Sequence, residues 1–308
     1  MKILITGSGG QLGKELIKSS PKIIKEKKIE LFPLTKNEFN LSNENQIKLV
    51  LEKIQPDWVI NCGAYTNVEK AEEEKEIALK INGLGPKYIA DTLLKTGGKM
   101  IQISTDFVFD GNKNKPYLPN EERNPLNVYG EGKALGESMI EKYLIPFNKG
   151  YIVRTSWLIG CFKNNFAQRI ISLSRNKDTI NVVKDQVSCT TSTKTLSKAC
   201  WEIIKRDSEN IKLPHILHFS DLGTLSWFDA ATTVVEIAKK FKIINPKFEV
   251  IPITSSQYPT KAVRPRFTLL DCTETYQALK LEPLFWKDAL NEVILEQKNN
   301  NVLEKFPK

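Results

Sequence analysis

The chain has 308 residues, 41% apolar and 26% charged, and its 45 basic against 36 acidic side chains leave a net charge of +9. That usage excludes collagen-like and wholly disordered classes, and the length supports one large domain or two intimate ones with a core that needs no metal or disulfide. Five cysteines (Cys62, Cys161, Cys189, Cys200, Cys272), an odd number with no C-x-x-C spacing, argue against a disulfide framework or zinc site, and lysines scattered without a basic block argue against nucleic acid and for a solvated surface or small anionic ligands.

The first strand, Lys2–Thr6, has too short an apolar run for a signal peptide. Nothing later approaches the ~20 apolar residues of a membrane span, so the expected location is the cytoplasm, with no membrane partner. Further strands are predicted at Ile29–Leu34, Asp57–Cys62, Lys99–Ser104 and Tyr151–Thr155, with helices near 11–19, 43–54, 74–96 and 129–143 between them. Continuous apolar strands alternating with amphipathic helices predict an α/β fold with a doubly wound parallel sheet of Rossmann type. Beyond residue 156, helices are expected near 164–176, 193–206, 226–241 and 286–297, and strands near 180–184, 215–220 and 248–253. The loop Asp110–Pro125 follows a buried strand and should lie above the carboxyl edge of the sheet, where open α/β folds bind ligands.

The first strand runs straight into Gly7-Ser8-Gly9-Gly10-Gln11-Leu12-Gly13 and then a helix. A tight strand-to-helix turn, a bare backbone beside a pyrophosphate and a helix packed closely on the sheet each call for glycine. The helix N-terminus adds free N–H groups and the positive end of its dipole. This assigns residues 1–156 to a dinucleotide-binding domain. Residues 157–297 are expected to be a smaller, mainly substrate-binding region with segments returning to the sheet, and 298–308 a frayed tail. The second strand ends at Leu34-Thr35-Lys36, without the acid that would bind ribose hydroxyls. Lys36 is either a solvated loop residue or a cation for a 2′-phosphate. On the second reading NADPH serves at least as well as NADH.

Tyr129 and Lys133 lie at i, i+4 on a predicted helix and share a face. A free phenol has a pKa near ~10. A neighbouring ammonium is expected to lower it and so fit the phenol to protonate a carbonyl oxygen as hydride arrives. Thr105, ending a buried strand, should bring a hydroxyl to the same oxygen. Tyr276 and Lys280 repeat the spacing far from the glycine turn and read as a structural helix face. His215 and His218 read as structural residues on opposite faces of a strand.

These segments resemble the extended short-chain dehydrogenase/reductases, and within them the dTDP-4-dehydrorhamnose reductase family. The resemblance is carried by Thr6–Gly13, Asn61–Glu72, Ser104–Gly111, Asn124–Lys133, Arg154–Trp157, Asn164–Phe166, Asp185-Gln186 and Tyr258–Pro265, in the expected order. It implies hydride transfer from NADPH or NADH to the C4 ketone of a nucleotide-linked sugar. Tyr129 would be the proton donor, Lys133 would tune it and hold the nicotinamide ribose, Thr105 would bind the carbonyl, and Asn82 would support the proton relay. Gly7, Gly10, Gln11, Leu12 and Gly13 would hold the pyrophosphate, Asn40 and Leu41 the adenine side, and Ala64, Tyr65 and Thr66 the cofactor's middle. Asp106 and Trp157 would contact the sugar, with Thr66 and Val68 lining its pocket. Two bland readings stand beside these: Trp157 as a core aromatic and Asp106 as a loop cap.

Several positions depart from the family pattern. Glu69 replaces an aspartate, Cys62 and Gly63 replace alanines, and Val187–Thr190 lacks the family's Gly- and Pro-containing stretch. Some members dimerise through a metal held by a glutamate like Glu15. The other ligands are not recognisable here, which leaves magnesium and a homodimer open. Phe107 after Asp106 breaks the Asp-Glu pair of related dehydratases. The rival readings are another nucleotide-sugar reductase or epimerase, and a non-catalytic regulatory subunit like the β subunit of methionine adenosyltransferase.

Overall fold

The apolar runs become parallel strands, with side chains covered on both faces in all but the half-exposed edge strand Glu30–Leu34. They are β1 (Lys2–Thr6), β2 (Glu30–Leu34), β3 (Trp58–Asn61), β4 (Lys99–Thr105) and β5 (Gly150–Thr155). The computed structural model describes residues 1–162 and 165–300, so Asn164 of the quoted motifs and residues 301–308 of the expected tail lie outside the described residues. Two later strands pair apart from these: β6 (Thr179–Val183) joins β8 (Glu249–Ile253) in a small parallel sheet. Between them in the chain, β7 (Ile216–His218) returns to the edge of the main sheet beside β5. The six-stranded order is β7-β5-β4-β3-β1-β2, parallel throughout. From β1 the chain passes to β2 on one side and then to β3 on the other. The crevice at the carboxyl ends of β1 and β3 is therefore the topological switch point.

Helices cover both faces. On one, α1 (Gln11–Lys18) and α8 (Thr193–Ser208) bury Leu12, Leu16, Leu196 and Ile203 against Ile3 and Ile5. On the other, α2 (Glu44–Ile54), α5 (Gly85–Thr96) and α6 (Val128–Tyr143) bury Ile47, Leu51, Ile89, Leu93 and Ile140 against Leu4, Val59 and Ile152. Each such aliphatic side chain contributes about 1.5–3 kcal/mol on burial. A second core forms around β6 and β8 from α7 (Phe166–Leu173), α9 (Trp227–Lys240) and α11 (Trp286–Asn299), through Ile170, Val234, Phe248, Leu290 and Ile294. Helix α9 starts at a capping box between Ser226 and Asp229. Among the described residues no helix is long and apolar enough to cross a membrane.

The helix expected near 74–96 is not uniform. It consists of α4 (Lys75–Leu79), a π turn at Lys80–Leu84 and then α5; the four-residue α3 (Val68–Ala71) precedes it. π turns often mark functional positions in helices, and Asn82 lies at the centre of this one. Helix α6 crosses it closely because its contact residues are glycines: a Cβ on Gly136 would stand 2.4 Å from the Asn82 carbonyl oxygen.

Candidate active site

At the switch point two backbones nearly touch. Gly7 has φ +59°, and a Cβ there would lie 2.9 Å from Gly63 N and Cα, so no larger residue fits. Gly10 N donates to Gly7 O at 2.7 Å and closes the turn. No side chain caps α1, and its first turn holds no acid. The N–H groups of Gln11, Leu12 and Gly13 and the dipole's positive end are thus directed at an anion, as a dinucleotide pyrophosphate requires. The Gln11 side chain points elsewhere: its Oε1 accepts from Gly160 N at 3.0 Å and Asn165 Nδ2 at 3.1 Å. Leu12 is buried in the core.

The floor of the crevice is a line of polar side chains across the strand ends. Thr6 Oγ1 donates to Asn61 Oδ1 at 2.5 Å, and Asn61 Nδ2 donates to Gln102 Oε1 at 2.7 Å. Asn40 Oδ1 accepts from Ser42 N and Oγ, and Leu41 is buried beneath Gly63. Lys36 is exposed just past β2, and no ion pair engages it among the described residues. In the loop after β3, Ala64 and Tyr65 are half-buried and Thr66 is exposed; Val68 is half-buried at the start of α3. Asn82 fixes this loop by accepting from Tyr65 N at 2.8 Å and donating to Tyr65 O at 3.0 Å. Its carboxamide therefore faces Tyr65, and among the described residues it makes no direct hydrogen bond to Tyr129 or Lys133.

Helix α6 begins at Asn127, whose side chain accepts from Gly130 N at 2.8 Å. This fixes Tyr129 in the first turn, with Phe107 edge-on to its ring at 6.0 Å. The Tyr129 hydroxyl lies beside Thr105, at the end of β4. Lys133 Nζ donates to Ile103 O at 2.5 Å. The expected lowering of the phenol by its lysine is not found. Burial pushes Tyr129 up to about 12, with the Asp106 charge adding and the Thr105 hydroxyl opposing. Burial pushes Lys133 down to about 8. The ammonium faces a backbone carbonyl instead of the phenol.

Asp106, expected at the sugar, is only 2% exposed. Its oxygens accept from Thr268 Oγ1 at 2.5 Å, Thr105 Oγ1 at 3.1 Å and Ser188 Oγ at 3.4 Å. Burial raises it to about 6 against these hydrogen bonds. It joins the Thr105 strand end to the C-terminal region. Trp157 is half-buried with φ +43°, an unusual backbone for a bulky residue and a sign of local strain. Its ring stacks on Trp227 at 3.7 Å, so one face is already covered. Sequence reasoning missed Trp227, Thr268 and Ser188.

Trp227 also borders a cavity of about 640 Å³, with Phe166, Tyr258, Arg169, Lys177 and Arg264 among its lining and no carboxylate there. Arg264 Nη2 donates to Glu69 Oε1 at 2.7 Å, and Lys261 N donates to Glu69 Oε2 at 2.9 Å. Glu69 thereby ties the segment 258–265 to α3. Arg264 Nε is buried with no hydrogen-bond partner among the described residues. The metal implied by the resemblance does not fit. Glu15 is buried, Lys18 pairs with Glu296 and Lys194 with Glu292. No group of three or more His, Cys, Asp or Glu among the described residues is placed to hold a metal.

Comparison with known proteins follows the same lines. Residues 1–299 match the family described as the RmlD substrate binding domain. The chain is 33% identical over 294 residues to a dTDP-4-dehydrorhamnose reductase of Aggregatibacter actinomycetemcomitans, covering 95% of this chain and 98% of that one. A solved dTDP-4-dehydrorhamnose reductase of Clostridium acetobutylicum superposes with a TM-score of 0.86 at 34% identity, covering 97% of this chain and 100% of that one. Another from Bacillus anthracis, in complex with NADP, gives 0.83 at 30% identity, covering 96% and 99%.

Proposed function

Because the chain belongs to the RmlD substrate binding domain family, we propose that it reduces the C4 ketone of dTDP-4-dehydro-L-rhamnose to give dTDP-L-rhamnose, with NADPH or NADH as reductant. The relatives' names support the substrate, and the NADP complex of one of them supports the cofactor. The uncapped α1 and the Gly7–Gly63 approach fit the pyrophosphate of that cofactor. Asn40 and Leu41 would face its adenine side, and Ala64, Tyr65 and Thr66 its middle. Lys36, exposed and unpaired, would favour a 2′-phosphate. When bound, the nicotinamide supplies the hydride.

The observation that carries this reading is the convergence of the Thr105 and Tyr129 hydroxyls beside the switch point. Tyr129 would donate to the ketone oxygen, and Thr105 would do so by turning its one hydroxyl proton away from Asp106. Raised to about 12, Tyr129 is fully protonated at neutral pH. That suits a general acid, since the alkoxide formed by reduction is a far stronger base than a phenolate. Lys133, as an ammonium, would steady the phenolate left behind and hold the ribose. Asp106 would orient Thr105 from behind. The cavity beside Trp157 and Trp227 would take the nucleotide, with aromatic faces for the base and Arg169, Lys177 and Arg264 for the diphosphate. A cytoplasmic location and a homodimer remain part of this reading, the dimer to be measured by light scattering.

The test supplies the purified chain with dTDP-4-dehydro-L-rhamnose and follows NADPH absorbance, with chromatography of the product. Cofactor consumption coupled to dTDP-L-rhamnose is expected. No consumption with either NADPH or NADH would overturn the proposal.

A further inference from the structure

Helix α6 carries Glu137 one turn beyond Lys133 on the face that presents Tyr129. Three successive residues of β4 meet these three side chains. Thr105 lies beside Tyr129, Ile103 O accepts from Lys133 Nζ, and Ser104 Oγ donates to Glu137 Oε1 at 2.5 Å. Glu137 is fully buried at 0% exposure. Its carboxylate accepts from Arg154 Nε at 3.0 and 3.1 Å and Nη2 at 2.8 Å, and from Arg123 Nη1 at 3.1 Å. Arg154, also buried, donates onward to Pro119 O, and Arg123 Nη2 donates to Glu141 at 2.7 Å.

A buried ion pair is weak evidence of stability, because desolvation offsets much of its attraction. A well-packed apolar residue would fill the position as well. What only a carboxylate adds is a fixed negative charge and a set of directional bonds joining α6, β4, β5 and the 110–125 loop. The groups facing Lys133 are few: Glu137 on its own helix, Cys62 at the end of β3 and the Ile103 carbonyl of β4. Burial keeps the Cys62 thiol protonated. His218, against Arg154, is held neutral, pushed down to about 3 by burial and the Arg154 charge. Asp106 faces Tyr129.

We propose that Glu137 is a positioning residue for the reduction: gripped by Arg154, Arg123 and Ser104, it keeps α6 in register with β4 and sets its carboxylate one helical turn from Lys133. The link to catalysis rests on the reading of Tyr129 and Lys133 given above; the effect on Lys133 does not. Glu137 opposes the burial that favours neutral Lys133, so Glu137→Gln lets the ammonium lose its proton at lower pH. Arg123 partly masks the carboxylate, so Arg123→Gln lets the ammonium persist to higher pH.

The experiment is NMR titration of the full chain carrying ¹³C-labelled lysine side chains, with Lys133→Met identifying the resonance, alongside kcat against pH with NADPH. In the wild type the Lys133 signal should titrate near 8. Glu137→Gln should move that midpoint and the alkaline limb of kcat about one pH unit toward acid, and Arg123→Gln should move both toward alkali. A purely structural role would lower both thermal midpoints without opposed shifts. Shifts in one direction, or none, overturn the proposal. If Glu137→Gln does not fold, Arg123→Gln decides: an alkaline shift supports the proposal, and an unchanged midpoint overturns it. Opposed NMR shifts in a chain that turns over no sugar nucleotide would uphold the hold on Lys133 and sink the reductase reading instead.

Discussion

The chain contains two tyrosine–lysine pairs at i, i+4, Tyr129 with Lys133 and Tyr276 with Lys280. The first lies within a helix of 16 residues, both side chains turned toward the carboxyl end of β4. The second straddles the end of the seven-residue α10 (Thr273–Leu279). There Lys280 takes φ +50° as the helix cap and is exposed, while the Tyr276 hydroxyl donates to Ser220 O at 2.7 Å. Equal spacing thus gives a shared face only where the helix continues past the lysine. It gives chemistry only where that face meets a strand end beside the switch point.

Substitutions can break this contrast. The largest effect is expected from Tyr129→Phe: kcat should fall about 10²-fold or more with NADPH affinity unchanged, measured by steady-state kinetics and fluorescence titration. Lys133→Met should lower kcat about tenfold or more and also weaken NADPH binding, as the proposed double role toward phenolate and ribose requires. Arg264→Gln should raise KM for the sugar nucleotide about tenfold with kcat nearly unchanged, as expected for loss of a charge-assisted hydrogen bond. Lys36→Glu should reduce the preference for NADPH over NADH severalfold, read as a ratio of kcat/KM values. Smallest of all, Tyr276→Phe should cost about 1 kcal/mol in denaturant unfolding and leave kcat alone. A kinetic defect there equal to that of Tyr129→Phe would erase the distinction.

What could be read from the chain alone followed how local each signal is. The glycine turn, the apolar strands and the α6 pair are contiguous, and their physics is short-ranged. Glu137 went unread in the sequence, although it continues the Tyr129–Lys133 period by one more turn. The partners of Asp106 were not: Ser188 and Thr268 reach it from distant segments, and nothing in Val187–Thr190 announces a contact with β4. The Trp157–Trp227 stack likewise joins two residues far apart in sequence. The expected effect of Lys133 on Tyr129 failed for another reason. Spacing places two side chains on one face, but the nearest acceptor decides where an ammonium points, and here it is Ile103 O.

The Gln11 carboxamide oxygen accepts hydrogen bonds from both Gly160 N and Asn165 Nδ2. Asn165 in turn caps α7, the helix whose Phe166 and Arg169 border the cavity. One atom is therefore shared between the loop that would grip the reductant's phosphates and the wall of the chamber across the cleft. Removing the Gln11 side chain would break both contacts at once, the one to the Gly160 backbone and the one to the residue that caps α7.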